Sequence, residues 1–540
     1  MKILVLNASP KGKNSTTVHT ALYLQALHPE HEFTVLPVGQ RIKSYEKDFA
    51  PLREELKKAE LILFSYPVYT FIAPYQLHRL LELIKADGAD LSGKFASQIT
   101  TSKHFYEQPV KAVFKMGVPV AMGMLFMVVY NLVDTYFIGL LHDDYQLAAA
   151  NLSYPVMMVS VAIASIVGNG GASYIARCIG ADRRDRAAQT LTIGLELLLF
   201  SGLFLTILGA IFIDPIVGLL GAKENTFQYT KDYCIVMILG SVFTMSNYAV
   251  GQLLRSEGST VYSMIGMISG TVANIILDPI FIFTLKMQIK GAAIATVLGN
   301  ILSTVIFLWF YARKKTLLAP SLSLARLDIG IIKEILLVGV PNTLEQFFAT
   351  AAMIVNNNLA AGYGELTVAA MGIANKIMSF GTYIYQGMAG GCQPLMGYNY
   401  GAQNYRRMKA LLKAGIASIA GVELAIMAVF GLFAPYLIGT FTDSREVISI
   451  GAATLRALMI MLPFVGTTTV IRSTFNAMGK PMFAFGITIV RQLVLYIPFL
   501  LLFNQIWGFN GLIHAQPTEE IVCMIFALWL ISNRLKKIRS

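Results

Sequence analysis

The sequence predicts a mainly α-helical polytopic membrane protein, with twelve transmembrane helices in two six-helix lobes behind an incomplete α/β domain. Three observations carry this expectation. Of 540 residues, 55% are hydrophobic and 14% charged, with a mean hydropathy of +0.60. Soluble domains average about 25% charge, so a disordered chain, a fibrous protein and an ordinary soluble enzyme are excluded. The composition changes near Pro109, from a soluble α/β pattern to long apolar runs. Finally, short motifs in the first half of the apolar part recur in the second at a nearly constant offset of 221 residues.

The segment before Pro109 alternates strands and helices. Lys2–Asn7 reads as a buried parallel strand and Ser15–Leu27 as a helix. Glu32–Val38 is a second strand, Leu52–Ala59 a charged amphipathic helix and Leu61–Tyr66 a third strand. Pro74–Ile84 is a further helix and Lys94–Thr100 a fourth strand. This order implies parallel βαβ units. The apolar run at the N-terminus is too short for a signal peptide, so this segment is expected to stay in the cytoplasm.

Asn7-Ala8-Ser9-Pro10-Lys11-Gly12-Lys13-Asn14-Ser15-Thr16-Thr17 resembles the phosphate loop of flavodoxin-like NAD(P)H-dependent FMN reductases. Ser65-Tyr66-Pro67-Val68-Tyr69-Thr70 resembles that family's second loop, and Thr100-Thr101-Ser102 stands where its third loop lies. The resemblance implies FMN as cofactor. Its phosphate would rest on Ser9, Lys11, Asn14, Ser15 and Thr16, where backbone N–H groups, hydroxyls and a helix start can hold an anion. Pro67, Val68, Tyr69 and Thr101 would face the flavin ring. The family's sheet has five strands and this chain leaves after the fourth. Residues 1–107 therefore read either as an FMN-binding domain lacking a strand, with an exposed edge, or as an empty remnant or fusion product of an NAD(P)H:FMN oxidoreductase.

From Lys111 onward twelve candidate spans follow, each near or above the ~20 residues that cross the hydrocarbon. Their limits are 112–140, 147–176, 188–213, 230–254, 261–284, 290–311, 333–360, 367–397, 408–434, 446–471, 483–504 and 508–532. This divides the membrane part into lobes at 108–327 and 328–540. Residues 1–108 carry a net charge of +2 and the remainder +10. The excess gathers in alternate loops, for example Arg183, Arg184 and Arg186, and in the tail with Arg534, Lys536 and Lys537. That is a membrane-orientation signal, with both termini cytoplasmic, and no nucleic-acid partner is expected. Cys178, Cys234, Cys392 and Cys523 lie in or beside apolar spans without CxxC spacing, so they read as small buried residues rather than metal ligands.

The two halves repeat in parallel. Gly170-Gly171…Gly180-Ala181-Asp182 returns as Gly390-Gly391…Gly401-Ala402-Gln403, Val118-Pro119 as Val340-Pro341, and Arg255-Ser256-Glu257-Gly258 as Asn476-Ala477-Met478-Gly479. Such repeats place a substrate path between lobes near the bilayer midplane. Together with Tyr130-Asn131-Leu132-Val133-Asp134-Thr135-Tyr136-Phe137-Ile138-Gly139, these motifs resemble multidrug and toxic compound extrusion (MATE) transporters over residues 109–540. The resemblance implies a monomeric, V-shaped antiporter in a bacterial-type cytoplasmic membrane. It would export small organic cations in exchange for H⁺ or Na⁺.

Ionisable groups inside spans are costly and are the places to look for function. Tyr130 and Asp134 lie one helical turn apart, as do Asn274 and Asp278, and Thr296 and Asn300. The resemblance implies that Asp134, Asn247, Asn274, Asp278 and Thr296 line a proton-coupled polar cavity, with Tyr248 an alternative to Asn247. A carboxylate in a low-dielectric site holds its proton more tightly than in water, so Asp134 is the expected coupling group. Helix-packing hydrogen bonds are the structural alternative for both aspartates, and Asp278-Pro279 also reads as a kink. In the second half, Glu345 lies near the position of a cation-binding glutamate of other MATE branches. The tenth span holds no aspartate to complete that site. Glu423 is another intramembrane acid. Asn356-Asn357-Asn358 either line a cavity or bond neighbouring helices. Arg491 is expected to snorkel to the interface, and His514 to pack there. Met122, Met124, Met127, Met157 and Met158 read either as an adaptable cavity wall or as lipid-facing filler.

Two other functions are open to the sequence. One is a flippase for lipid-linked saccharides, which would favour cationic cavity residues where the spans show acidic and neutral ones. The other is a membrane-tethered flavin oxidoreductase, for which twelve repeated spans exceed what an anchor needs.

Overall fold

The computed structural model describes residues 1–9, 15–68, 75–88, 90–102, 109–141, 143–313, 315–320 and 328–537. It divides into two units, Met1–Ala112 and Val113–Ser540.

The first unit is a four-stranded parallel sheet in the order β2-β1-β3-β4. Its strands are β1 (Lys2–Asn7), β2 (Glu32–Leu36), β3 (Leu61–Val68) and β4 (Phe95–Ser102). Its helices are α1 (Thr16–Leu27), α2 (Val38–Lys47), α3 (Ala50–Lys58) and α4 (Tyr75–Asp87). The apolar run of β1 is buried from Ile3 to Leu6 because helices cover both faces of a parallel sheet. Val5 sits between Val35 and Leu63 in register. Sequence periodicity missed α2. Its Gly39 sits where a Cβ would overlap the Ser9 backbone, so the chain turns straight from β2 into a helix packed on the end of β1. Four strands form, as the sequence implied, and β2 and β4 are the edges, with Phe95 of β4 70% exposed.

The second unit is helical throughout. In chain order it comprises α5 (Pro109–Gly139), which starts within the first unit's limits, α6 (Asp144–Gly180), α7 (Arg184–Ile211), α8 (Ile213–Leu219), α9 (Glu224–Leu239), α10 (Ser241–Ser256), α11 (Thr260–Pro279) and α12 (Gln288–Ala312). It continues with α13 (Ile329–Ala361), α14 (Glu365–Gly401), α15 (Tyr405–Leu432), α16 (Ala434–Gly439), α17 (Arg445–Ala477), α18 (Pro481–Ile489) and α19 (Ile497–Lys537). Among the described residues eight helices are long and apolar enough to span a membrane, or nine with the pair α9–α10, bent by 53°. The remaining predicted spans have physical explanations. At 33 and 37 residues, α13 and α14 are long enough to cross but fall outside that apolar set. The last two predicted spans meet within α19, which turns at Gly508 (φ 56°, ψ −136°). Only glycine enters that backbone region readily. Pro279 closes α11, and the chain continues as a π-helical turn over Ile280–Thr284. The helix thus changes type directly after Asp278-Pro279, where the sequence suggested a kink. Large apolar side chains such as Phe200, Phe204 and Leu432 remain exposed on the outside, where lipid meets them.

The sequence repeat is a packing repeat. Asp182 and Gln403, 221 residues apart, both adopt φ 56°. The helices α6 and α14, which carry the repeated glycines, pack against each other across the two halves. A Cβ on Gly180 would overlap the Tyr398 carbonyl, and one on Gly401 would overlap the Arg177 carbonyl. The same closeness recurs where Gly170 meets Ile335 and Gly391 meets Gly117. Gly421 on α15 faces open space. Overpacking of this kind costs about 1–3 kcal/mol. Gly180→Ala and Gly401→Ala are therefore expected to lower the detergent melting temperature, and Gly421→Ala to leave it unchanged.

Candidate functional site

The N-lobe polar residues converge as the one-turn spacings imply. Tyr130 on α5 shares a hydrogen bond with Thr296 on α12, hydroxyl to hydroxyl at 3.1 Å. The Asn274 amide, oriented to satisfy both its ends, donates to Asp278 Oδ2 at 3.2 Å and accepts from the Thr296 N–H at 3.0 Å. Asn247 Nδ2 on α10 donates to Asn300 Oδ1 at 2.7 Å, and Asn300 Nδ2 donates to Thr244 Oγ1 at 3.1 Å. Asn274, Asp278 and Thr296 are buried. Two oxygens of the group, Asp134 Oδ1 and Asn247 Oδ1, are buried with no hydrogen-bond partner among the described residues, and Asp134 is the one carboxylate of the pair. Tyr130, Asn247, Asn274 and Thr296 line a cavity of about 110 Å³, with Met124, Met127 and Met157 on the same wall. Asp134 and Asp278 stand one turn further along α5 and α11, off that wall. Of the five methionines noted in the sequence, Met122 and Met158 are exposed instead.

A larger cavity of about 510 Å³ is lined from both lobes. Glu345, Asn356 and Asn357 of α13, Arg472 of α17 and Arg491 of the π-helical turn Val490–Tyr496 all face it. Glu345 does not join the N-lobe group; it forms an ion pair with Arg472. Arg491 does not snorkel to an interface. Its Nε donates to Glu520 Oε1 at 2.7 Å, and Glu519 Oε1 lies 3.7 Å away. Glu519 and Glu520 are 1% and 0% exposed. The sequence reading passed over both, although two adjacent acids within an apolar span are the signal that should have flagged them. The placement of Arg255, Arg472 and Arg491 on this wall also corrects the expectation that the spans offer acidic and neutral groups alone. Glu423 of α15 is fully buried, with neither carboxylate oxygen hydrogen-bonded among the described residues. His514 is not packed at all: it is exposed, with Nδ1 2.8 Å from the Asn510 carbonyl.

In the first unit, Lys11, Asn14 and Tyr69 lie outside the described residues, as do the side chains of Thr16, Pro67, Val68 and Thr101. Ser9 and Ser15 flank the β1–α1 connection and are buried. The Ser15 hydroxyl pairs with Thr17 Oγ1 at 2.7 Å and does not cap α1. Among the described residues the first N–H groups of α1 thus have no side-chain cap, which fits an anion at that end. The connections after β1 and β3 leave the sheet at its carboxyl edge, where the strand order reverses.

The sequence matches the MatE family over residues 119–280 and again over 341–502. Residues 1–108 match a family described as a flavodoxin-like fold. Multidrug export protein MepA of Staphylococcus aureus (strain MRSA252) is 28% identical over 436 residues, covering 80% of this chain and 96% of that protein. The MepA of Staphylococcus saprophyticus is 29% identical over 428 residues, covering 79% and 94%. The fold is similar to a multidrug resistance MATE family transporter of the MOP superfamily solved in an outward-facing conformation. That match has a TM-score of 0.77 at 29% identity, over 81% of this chain and 99% of that one. A MOP superfamily transporter from Pyrococcus furiosus, described as having a binding pocket of reverse polarity, matches with a TM-score of 0.76 at 29% identity, over 82% and 99%.

The Arg491 cluster yields a stability prediction. Removing one partner of a buried ion pair costs roughly 3–5 kcal/mol, because the other charge is left uncompensated. Arg491→Leu strands two acids, whereas Glu519→Gln leaves Arg491 with Glu520. The first variant is expected to melt well below the second in detergent.

Proposed function

The chain belongs to the MatE family, and on that premise we propose that it exports amphipathic organic cations across a cytoplasmic membrane, as a monomer, in exchange for H⁺, with Na⁺ as the alternative coupling ion. The observation that carries the reading is the unpartnered Asp134 Oδ1 beside the Tyr130–Thr296–Asn274–Asp278 network. A carboxylate with an unmet oxygen, held next to fixed hydroxyl and amide groups, can accept a proton without dismantling its surroundings. Tyr130 and Asn274 link that step to the cavity wall. Deprotonated, Asp134 attracts a cationic solute; protonated, it releases it. Glu345 is already neutralised by Arg472, which argues against a second coupling ion there. The basic loops support a cytoplasmic location for both termini. In proteoliposomes, Asp134→Asn is expected to lower pH-gradient-driven transport of ethidium by about 10²-fold while the protein still inserts and melts normally. Transport at the normal rate would remove Asp134 from the mechanism. A Na⁺ gradient at constant pH, driving transport in the native chain, would reassign the ion.

We further propose that the first unit binds FMN at the carboxyl edge of its sheet. The strand order, with its reversal between β1 and β3, and the uncapped start of α1 support this. Ser9 and Ser15 would hold the phosphate end. Bound there, FMN would supply hydride or electron transfer. The full-length chain with added FMN is expected to retain oxidised-flavin absorbance after gel filtration. A colourless chain would mark residues 1–107 as a remnant.

A further inference from the structure

One buried acid stands apart from both cavities, beside the connection between the lobes. Residues 313–328 join α12 of the first lobe to α13 of the second. Within this connection Leu318 is 4% exposed and shares a core cluster of the first lobe with Leu254, Phe307 and Tyr311. Leu317 packs against the same cluster. A side chain holds the backbone there. Glu257, at the turn that ends α10, is 3% exposed, and its Oε2 accepts the Leu318 N–H at 2.8 Å. A carboxylate is a stronger acceptor for an N–H than a neutral oxygen. The Thr316 hydroxyl donates to the Leu318 carbonyl at 2.9 Å, and the Lys315 N–H donates to the Phe310 carbonyl at 3.1 Å. The start of the connection is therefore tied down onto the first lobe.

The contacts that cross between the lobes on this side are of another kind. Asp328 Oδ2, at the start of α13, lies 3.7 Å from Arg186 of α7, and both side chains are partly exposed. Arg177 of α6 donates to Glu334 of α13 at 2.9 Å, again with neither partner fully buried. Ion pairs in contact with water contribute little and part readily. They can open as the lobes move, whereas the Glu257–Leu318 bond lies inside one lobe and need not. The repeat agrees with this division. The residue 221 places after Glu257 is Met478, which is buried and apolar. An acid stands at this register only in the half whose last helix leads into the other lobe.

We infer that Glu257 is a positioning residue for transport: it fixes the connection to the first lobe at Leu318, so that only residues 319–328 remain to bridge the lobes. Each residue withdrawn from a bridging segment removes up to about 3.5 Å of reach. The anchor thereby limits how far the lobes part at the end that carries the connection. The inference rests on the reading of the second unit as an exporter whose two lobes move against each other.

The test measures that separation in the full-length chain in lipid nanodiscs, by electron–electron double resonance between spin labels at Arg184→Cys on α7 and Arg406→Cys on α15. Both positions are exposed, and the four native cysteines are buried. Glu334→Gln is present in every sample, so that the Arg177 pair no longer holds the lobes together. Glu257→Ala is expected to add a component at least about 5 Å longer. Glu257→Gln keeps an acceptor for the Leu318 N–H and is expected to retain the distribution seen with Glu257. Leu318→Ala leaves Glu257 in place, withdraws the buried side chain, and is expected to lengthen the distance as well, so the outcome does not hang on the folding of one variant. An unchanged distribution in both alanine variants, whatever their melting temperatures, overturns the inference. So does the same longer component in Glu257→Gln. The distances need neither substrate nor ion gradient. A chain whose transport ignores Asp134 therefore still reports on Glu257, and a chain without the anchor can still couple through Asp134.

Discussion

Hydrocarbon offers no hydrogen bonds, so every polar group carried into the membrane must be met by the protein itself. The second unit is arranged around that requirement. Helices satisfy the backbone, and the polar side chains are drawn into two interior assemblies. One is a network of hydroxyls and amides joining α5, α10, α11 and α12. The other is a set of ion pairs, with Arg472 on Glu345 and Arg491 on Glu519 and Glu520. Against this background the unmet groups stand out. Asp134, Arg255 and Glu423 each carry a buried polar atom that the described residues leave without a partner.

The two halves keep a common backbone and differ in charge. Small residues at Gly180 and Gly401 let α6 and α14 approach to backbone contact, and this pair of contacts is nearly symmetric. The chemistry is not. Asp134 falls opposite Asn356 at the repeat offset of Val118 and Val340, and Arg255 falls opposite Asn476. In both cases the first half carries the ionisable member and the second a neutral amide. Packing symmetry lets two lobes move against each other about a shared interface. At these two repeat positions the ionisable groups belong to the first lobe alone.

Much of this was legible in the sequence. Hydropathy located the spans, and one-turn spacing put Tyr130 with Asp134 and Asn274 with Asp278, because neighbours on one helix are fixed by helical geometry. Partnerships between helices were not legible. Arg491 meets Glu519 and Glu520 because the chain reverses at Gly508, so its distance from the end of its own span said nothing about its burial. Arg472 and Glu345 are joined across two helices for the same reason. In the first unit, α2 was missed because its start is set by packing of Gly39 on Ser9 and not by its own pattern. The gaps in the apolar set arise where function intrudes: α13 carries Glu345 and the asparagines that face the large cavity, and these dilute the hydropathy that marks other spans.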